Sequence, residues 1–144
     1  GALGYSRTRD AKVFLHSISH ALMKGLEFEC GYTLSSLHER IYVEDEDVVD
    51  VNYRYLGFMI YCVSGTEGSF GGLTGYVAPK LVELFHNSII NGRTCTHDPI
   101  CECGKGHCFA CLDIPEVACD GLFNNYLDRR YIAPDLLYGD IHQG

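Results

Sequence analysis

The first pronounced pattern is helical. In DAKVFLHSISHALMKGLEFECGY, Phe14, Ile18, Leu22 and Leu26 recur every four residues, and Leu15 and Ala21 widen the stripe. Asp10 is a residue type that caps a helix start, and Gly31 suits its end, which predicts a helix over Ala11 to Cys30. The pattern then shortens. RIYV and YLGFMIYCV are rich in β-branched and aromatic residues and read as strands, separated by the acidic run Glu44 to Asp47, an exposed loop. The continuous apolar run Leu56 to Val63 predicts a strand covered on both faces. A glycine-rich turn, SGTEGSFGGLTG, leads to a second helix, with Pro79 in its first turn and Gly92 ending it. Leu81, Leu84, Phe85 and Ile89 form its stripe. LFNNYLDRRYI predicts a short helix, and APDLLYGDIHQG a tail or packing arm. The fold class is α+β: a small sheet packed by two main helices, with a Cys-rich loop, in a single domain over 1–144.

Composition narrows the chemistry. Hydrophobic residues make up 47% and charged residues 21%, so the chain can bury a core. No apolar run is long enough to span a membrane. A net charge of −8 disfavours a free-standing nucleic-acid binder, because phosphate contacts from Lys and Arg supply most non-specific affinity. DNA contact is therefore expected through a complex, and weakly from the chain alone. The chain starts on Gly1 without a visible leader, which fits a fragment excised from a larger protein.

The cysteines are unevenly placed. Six of the eight fall in CTHDPICECGKGHCFACLDIPEVAC, between Cys95 and Cys119. Cys30 and Cys62 stand alone in apolar segments, as small buried hydrophobes and free thiols. Such clustering is unlike a secreted disulfide framework and indicates a reducing, cytoplasmic setting. Cys108-x-x-Cys111 has the spacing of a zinc knuckle, and Cys101 and Cys119 complete an all-thiolate Zn2+ set, with Cys95 as the alternate fourth ligand. Cys103, His97 and His107 are near enough to compete, and an iron–sulfur cluster or a redox Cys-x-x-Cys are the rival chemistries. A closed thiolate shell leaves no position for a reactive water, which argues against zinc catalysis.

Other signals are weaker. His16 and His20 share one helix face and can ligate a metal, but packed or hydrogen-bonded imidazoles are the plainer reading. The glycine-rich turn lacks the ending of a phosphate-binding loop. A hydrolase or nuclease built from His16, Ser17 and His20 is one alternative function, and a zinc-dependent protein-interaction adaptor is another.

FLHSISHAL, GYTLSSLHERIYV, GFMIYCVSGTEGSFGGL, CTHDPIC, CFACLDIPEVAC and NNYLDRRYI follow one another in order. Together they resemble the MrfA-type zinc-binding domain (MZB) over about Lys12 to Ile132. That family occurs at the C-termini of superfamily-two DNA helicases in DNA repair, and in DrmB, the partner of a helicase in the DISARM antiviral defence system. The resemblance implies a non-catalytic zinc-binding module that contacts a helicase core in cis or in trans. Its cysteine pattern falls on Cys95, Cys101, Cys108, Cys111 and Cys119, one more than zinc needs. Its His-Ser-x-x-His falls on His16, Ser17 and His20, its glycines on Gly68, Gly71 and Gly72, and its Leu-Asp-Arg on Leu127, Asp128 and Arg129.

Overall fold

The computed structural model describes residues 7–43, 56–63 and 72–132. The acidic run Glu44 to Asp47, Gly68, Gly71 and the 133–144 tail lie outside the described residues. The elements are helix α1 (Arg7–Cys30), strands β1 (Leu37–Val43) and β2 (Leu56–Cys62), helix α2 (Leu81–Asn91) and a single helical turn α3 (Ile100–Cys103). This is an α+β fold.

Helix α1 begins a turn earlier than the sequence predicts. Asp10 lies within its first turn, and its carboxylate accepts the Tyr131 hydroxyl at 2.7 Å instead of capping the helix. The helix ends as expected. Gly31 takes φ +76° and its N–H donates to the Glu27 carbonyl, a left-handed cap that a side chain would strain. The apolar stripe is displaced at its start, where Phe14 is exposed. From His16 to Met23 every residue is buried, because the sheet, α2 and the Cys-rich segment cover the helix on several sides.

Strands β1 and β2 form an antiparallel pair in which Leu37 faces Cys62, Glu39 faces Ile60 and Ile41 faces Phe58. These six side chains share the face turned to the core, and His38, Arg40, Tyr42, Met59 and Tyr61 share the other. The expectation that Leu56 to Val63 is covered on both faces is corrected: exposure alternates along β2, since a two-stranded sheet has only one layer packed against it.

A 3-10 turn, Ala78–Lys80, carries Pro79 into α2. Of the expected stripe only Leu84 is fully buried, Ile89 is half-buried, and Leu81 and Phe85 are exposed. The contact with α1 runs instead through Leu84 and Ser88, which lie against Gly25. A β-carbon there would meet Ser88 Oγ at 2.3 Å, so the glycine permits the close approach of the helices. The segment expected as a short helix after Cys119 is irregular, with left-handed Phe123, Asn124 and Tyr126 and one 3-10 turn at Arg129–Tyr131.

Candidate metal centre

The Cys-rich segment sends Leu112, Ile114 and Ala118 into the core, while its first part, 95–111, is arranged around its sulfurs. The α3 turn brings Cys101 inward, and the Cys108–Cys111 turn presents two more thiols. Cys95 Sγ lies 3.4 Å from Cys108 Sγ, Cys101 Sγ lies 3.7 Å from Cys111 Sγ, and Cys108 and Cys111 are 3.8 Å apart. All four sulfurs fall within 4.8 Å of one another. A tetrahedral site with Zn–S bonds of ~2.3 Å has edges of roughly 3.8 Å, and these three separations are close to that edge. They are too far apart to be disulfides, and all eight cysteines are free.

Backbone donors complete the surround. Cys108 N–H points to Cys111 Sγ at 3.3 Å, and His97 N–H to Cys95 Sγ at 3.4 Å. Asp98 accepts the N–H groups of Cys95 and Glu102 and pairs with the buried Arg129 guanidinium, which also binds the Arg93 carbonyl. Arg129 lies against Cys101 and places a positive charge beside the sulfurs.

The thiols divide their acidity unevenly. Burial raises Cys108, but the Ala110 N–H and the neighbouring thiols outweigh it and bring it to about 7. Burial pushes Cys111 and Cys101 upward. Four sulfurs in contact cannot all ionise on their own, and a bound cation would remove that conflict.

The expected set was Cys101, Cys108, Cys111 and Cys119. The structure brings the first three together with Cys95, the alternate, and places Cys119 elsewhere. The reason is the path of the chain. Beyond Pro115 the backbone runs along the outer edge of β1, where the Ala118 carbonyl accepts Glu39 N–H at 3.1 Å and Asp120 accepts Ile41 N–H at 2.8 Å. Cys119 is thereby carried to α1. Of the competitors, Cys103 is exposed and His107 pairs with Asp113 at 2.7 Å. His97 Nδ1 stands 3.7 Å from Cys108 Sγ, on the outside of the cluster.

Cys119 joins His16, His20 and Glu39, and all four are buried, with their ligating atoms again within 4.8 Å. Glu39 Oε2 lies 2.7 Å from His16 Nε2 and 2.8 Å from His20 Nε2. Burial opposes charge on His16, but Cys119 and Glu39 overcome it and raise the imidazole to about 9. His20 is raised in the same way, Glu39 is held well below the usual carboxylate range by the two histidines, and Cys119 is lowered to about 6. Glu39 escaped the sequence reading, although alternation from Leu37 puts a carboxylate on the apolar face of β1. Ser17 is separate from this group: its hydroxyl accepts Asp128 N–H at 2.8 Å.

Fold and site thus define an α+β domain built on a four-cysteine cluster able to hold a metal ion. No family model matches the chain. In an alignment of 132 positions that covers 84% of the chain, it is 30% identical to the DISARM protein DrmB of Bacillus paralicheniformis, and it spans 22% of that protein's length. The chain is similar to a segment of DrmB. No helix among the described residues is long and apolar enough to cross a membrane.

Proposed function

We propose that this chain is a non-catalytic, zinc-binding accessory module of a DISARM-type antiphage defence protein, which contacts a helicase core in cis or in trans. The observation that carries it is the close set of thiols Cys95, Cys101, Cys108 and Cys111, within a chain similar to a segment of DrmB. Four thiolates are the soft, closed shell that Zn2+ takes in structural sites, with no open position for substrate. The resemblance to the MZB family supplies the helicase part of the reading, and with it cytoplasmic work on DNA, in defence or repair.

The alternative, a hydrolase or nuclease using His16, Ser17 and His20, has less support. All three side chains are fully buried, and each is engaged by a partner that a nucleophile or base would have to give up.

Zinc should be found by elemental analysis, and one equivalent should be lost in Cys95→Ser and in Cys111→Ser but not in Cys103→Ser. Iron in its place, or Cys111→Ser with unchanged zinc, counts against the reading. Pull-down from host lysate treated with nuclease should retain a helicase. The isolated chain, at net charge −8, should bind duplex DNA weakly at physiological salt.

A further inference from the structure

His16 and His20 each use Nδ1 on a backbone carbonyl: His16 on Asn125 at 2.8 Å and His20 on Leu112 at 2.7 Å. A carbonyl only accepts, so both Nδ1 atoms carry the proton and both Nε2 atoms turn inward. This is the arrangement found behind metal-bound histidines, whose outer nitrogen donates to a carbonyl and fixes the ring. The two Nε2 atoms converge on one carboxylate oxygen of Glu39, and Cys119 Sγ stands 3.4 Å from His16 Nε2. Glu39 is itself oriented, Oε1 by the Ser19 hydroxyl at 2.8 Å and Oε2 by Asp120 N–H at 3.1 Å.

The charges call for a cation. Two neutral imidazoles, a carboxylate and a thiolate sum to −2 among buried side chains, which one divalent ion neutralises. Two extra protons would do the same, but would set two imidazolium rings with centroids 4.2 Å apart in a buried space. A single ion among the four donors avoids that repulsion.

We propose that His16, His20, Glu39 and Cys119 form a second zinc site, closed and structural, that fastens α1 to β1 and to the end of the Cys-rich segment. The donor set, two imidazoles, one carboxylate and one thiolate, suits Zn2+ in four-coordinate form. Nitrogen and oxygen ligands at ~2.0–2.1 Å from a tetrahedral ion stand roughly 3.3–3.4 Å apart. Seating the ion therefore moves Glu39 Oε2 outward from the histidines by about half an ångström, a small rotation of its carboxylate. The ligands leave no open position, so the ion has no role in catalysis.

The test is zinc content together with the zinc X-ray absorption spectrum of the wild-type chain purified without chelator. The expected result is two equivalents per chain, with first shells that together hold five sulfur and three nitrogen or oxygen donors over the two ions. His20→Gln should lose one equivalent and leave an all-sulfur spectrum, and Cys111→Ser should lose the other and leave a spectrum dominated by nitrogen and oxygen. One equivalent in an all-sulfur shell in the wild type overturns this proposal and leaves the four-cysteine reading intact. One equivalent in a mixed shell, retained in Cys111→Ser, supports the second site and sinks the first. The wild-type spectrum needs no variant to fold, so an insoluble His20→Gln does not spare the proposal.

Discussion

The two clusters use similar atoms in opposite ways. Cys95, Cys101, Cys108 and Cys111 come from one short stretch, three of them half-buried and Cys101 buried, held by their own turns and by Arg129. His16, His20, Glu39 and Cys119 come from a helix, a strand and a loop, and are sealed in the core. A local cluster can form before the fold is complete, because closing short loops costs little entropy. The buried cluster exists only after α1, β1 and the 118–120 segment have met. Removing a ligand should therefore unravel a loop in the first case and loosen the whole domain in the second.

The largest effect should come from metal removal at the four-cysteine cluster. Structural zinc is worth roughly 10–16 kcal/mol in small zinc-dependent peptides, comparable with or above the ~5–15 kcal/mol that holds a typical domain folded. Cys111→Ser should lower the melting temperature sharply and expose 95–111 to hydrogen exchange. Most of the far-ultraviolet helical signal should survive, because α1 and α2 pack on each other independently of the sulfurs. Loss of that signal along with the loop would erase the contrast between the clusters.

Glu39→Ala comes next. It removes the charge shared by two buried imidazoles, and breaking a buried ionic set costs on the order of 3–5 kcal/mol. Denaturant unfolding should show this loss, and the Cys111-dependent zinc equivalent should stay. If that equivalent also disappears, the clusters are one unit rather than two.

Gly25→Ala separates packing from both clusters. The added carbon would press on Ser88 between α1 and α2, and overpacking costs about 1–3 kcal/mol. Melting should fall with no change in zinc content. The smallest effect belongs to Cys103→Ser. This thiol is exposed and outside both groups, so stability should move by no more than about 0.5 kcal/mol.

Helix α1, helix α2 and the clustering of thiols in the Cys-rich stretch were legible because their signals are local: helical period, Pro79 and Gly92, and the Cys-x-x-Cys spacing. Which of Cys95 and Cys119 stands beside the other three thiols was not legible. Spacing admits either, and the decision rests on hydrogen bonds from 118–120 to the edge of β1, far away in sequence. The same distance hid Glu39, whose partners lie nineteen and twenty-three residues back on another element. The coverage of β2 was misjudged because an apolar run does not say how many layers will pack against it. The segment after Cys119 lost its expected helix to left-handed residues and to tertiary ties such as Asp128 N–H to Ser17.

The position of Glu39 also bears on how the hairpin avoids folding wrongly. A pair of short strands with one wet face can slide by a residue, and each step turns every side chain over. Here the neighbours of Glu39 are His38 and Arg40. A slip of one residue in either direction would bring a basic side chain, rather than the acid, up against His16 and His20. The misaligned hairpin would press a basic side chain into a buried space against the two rings and take the Glu39 carboxylate away from both. The strand thus carries its own error check, spelled as one acid between two bases.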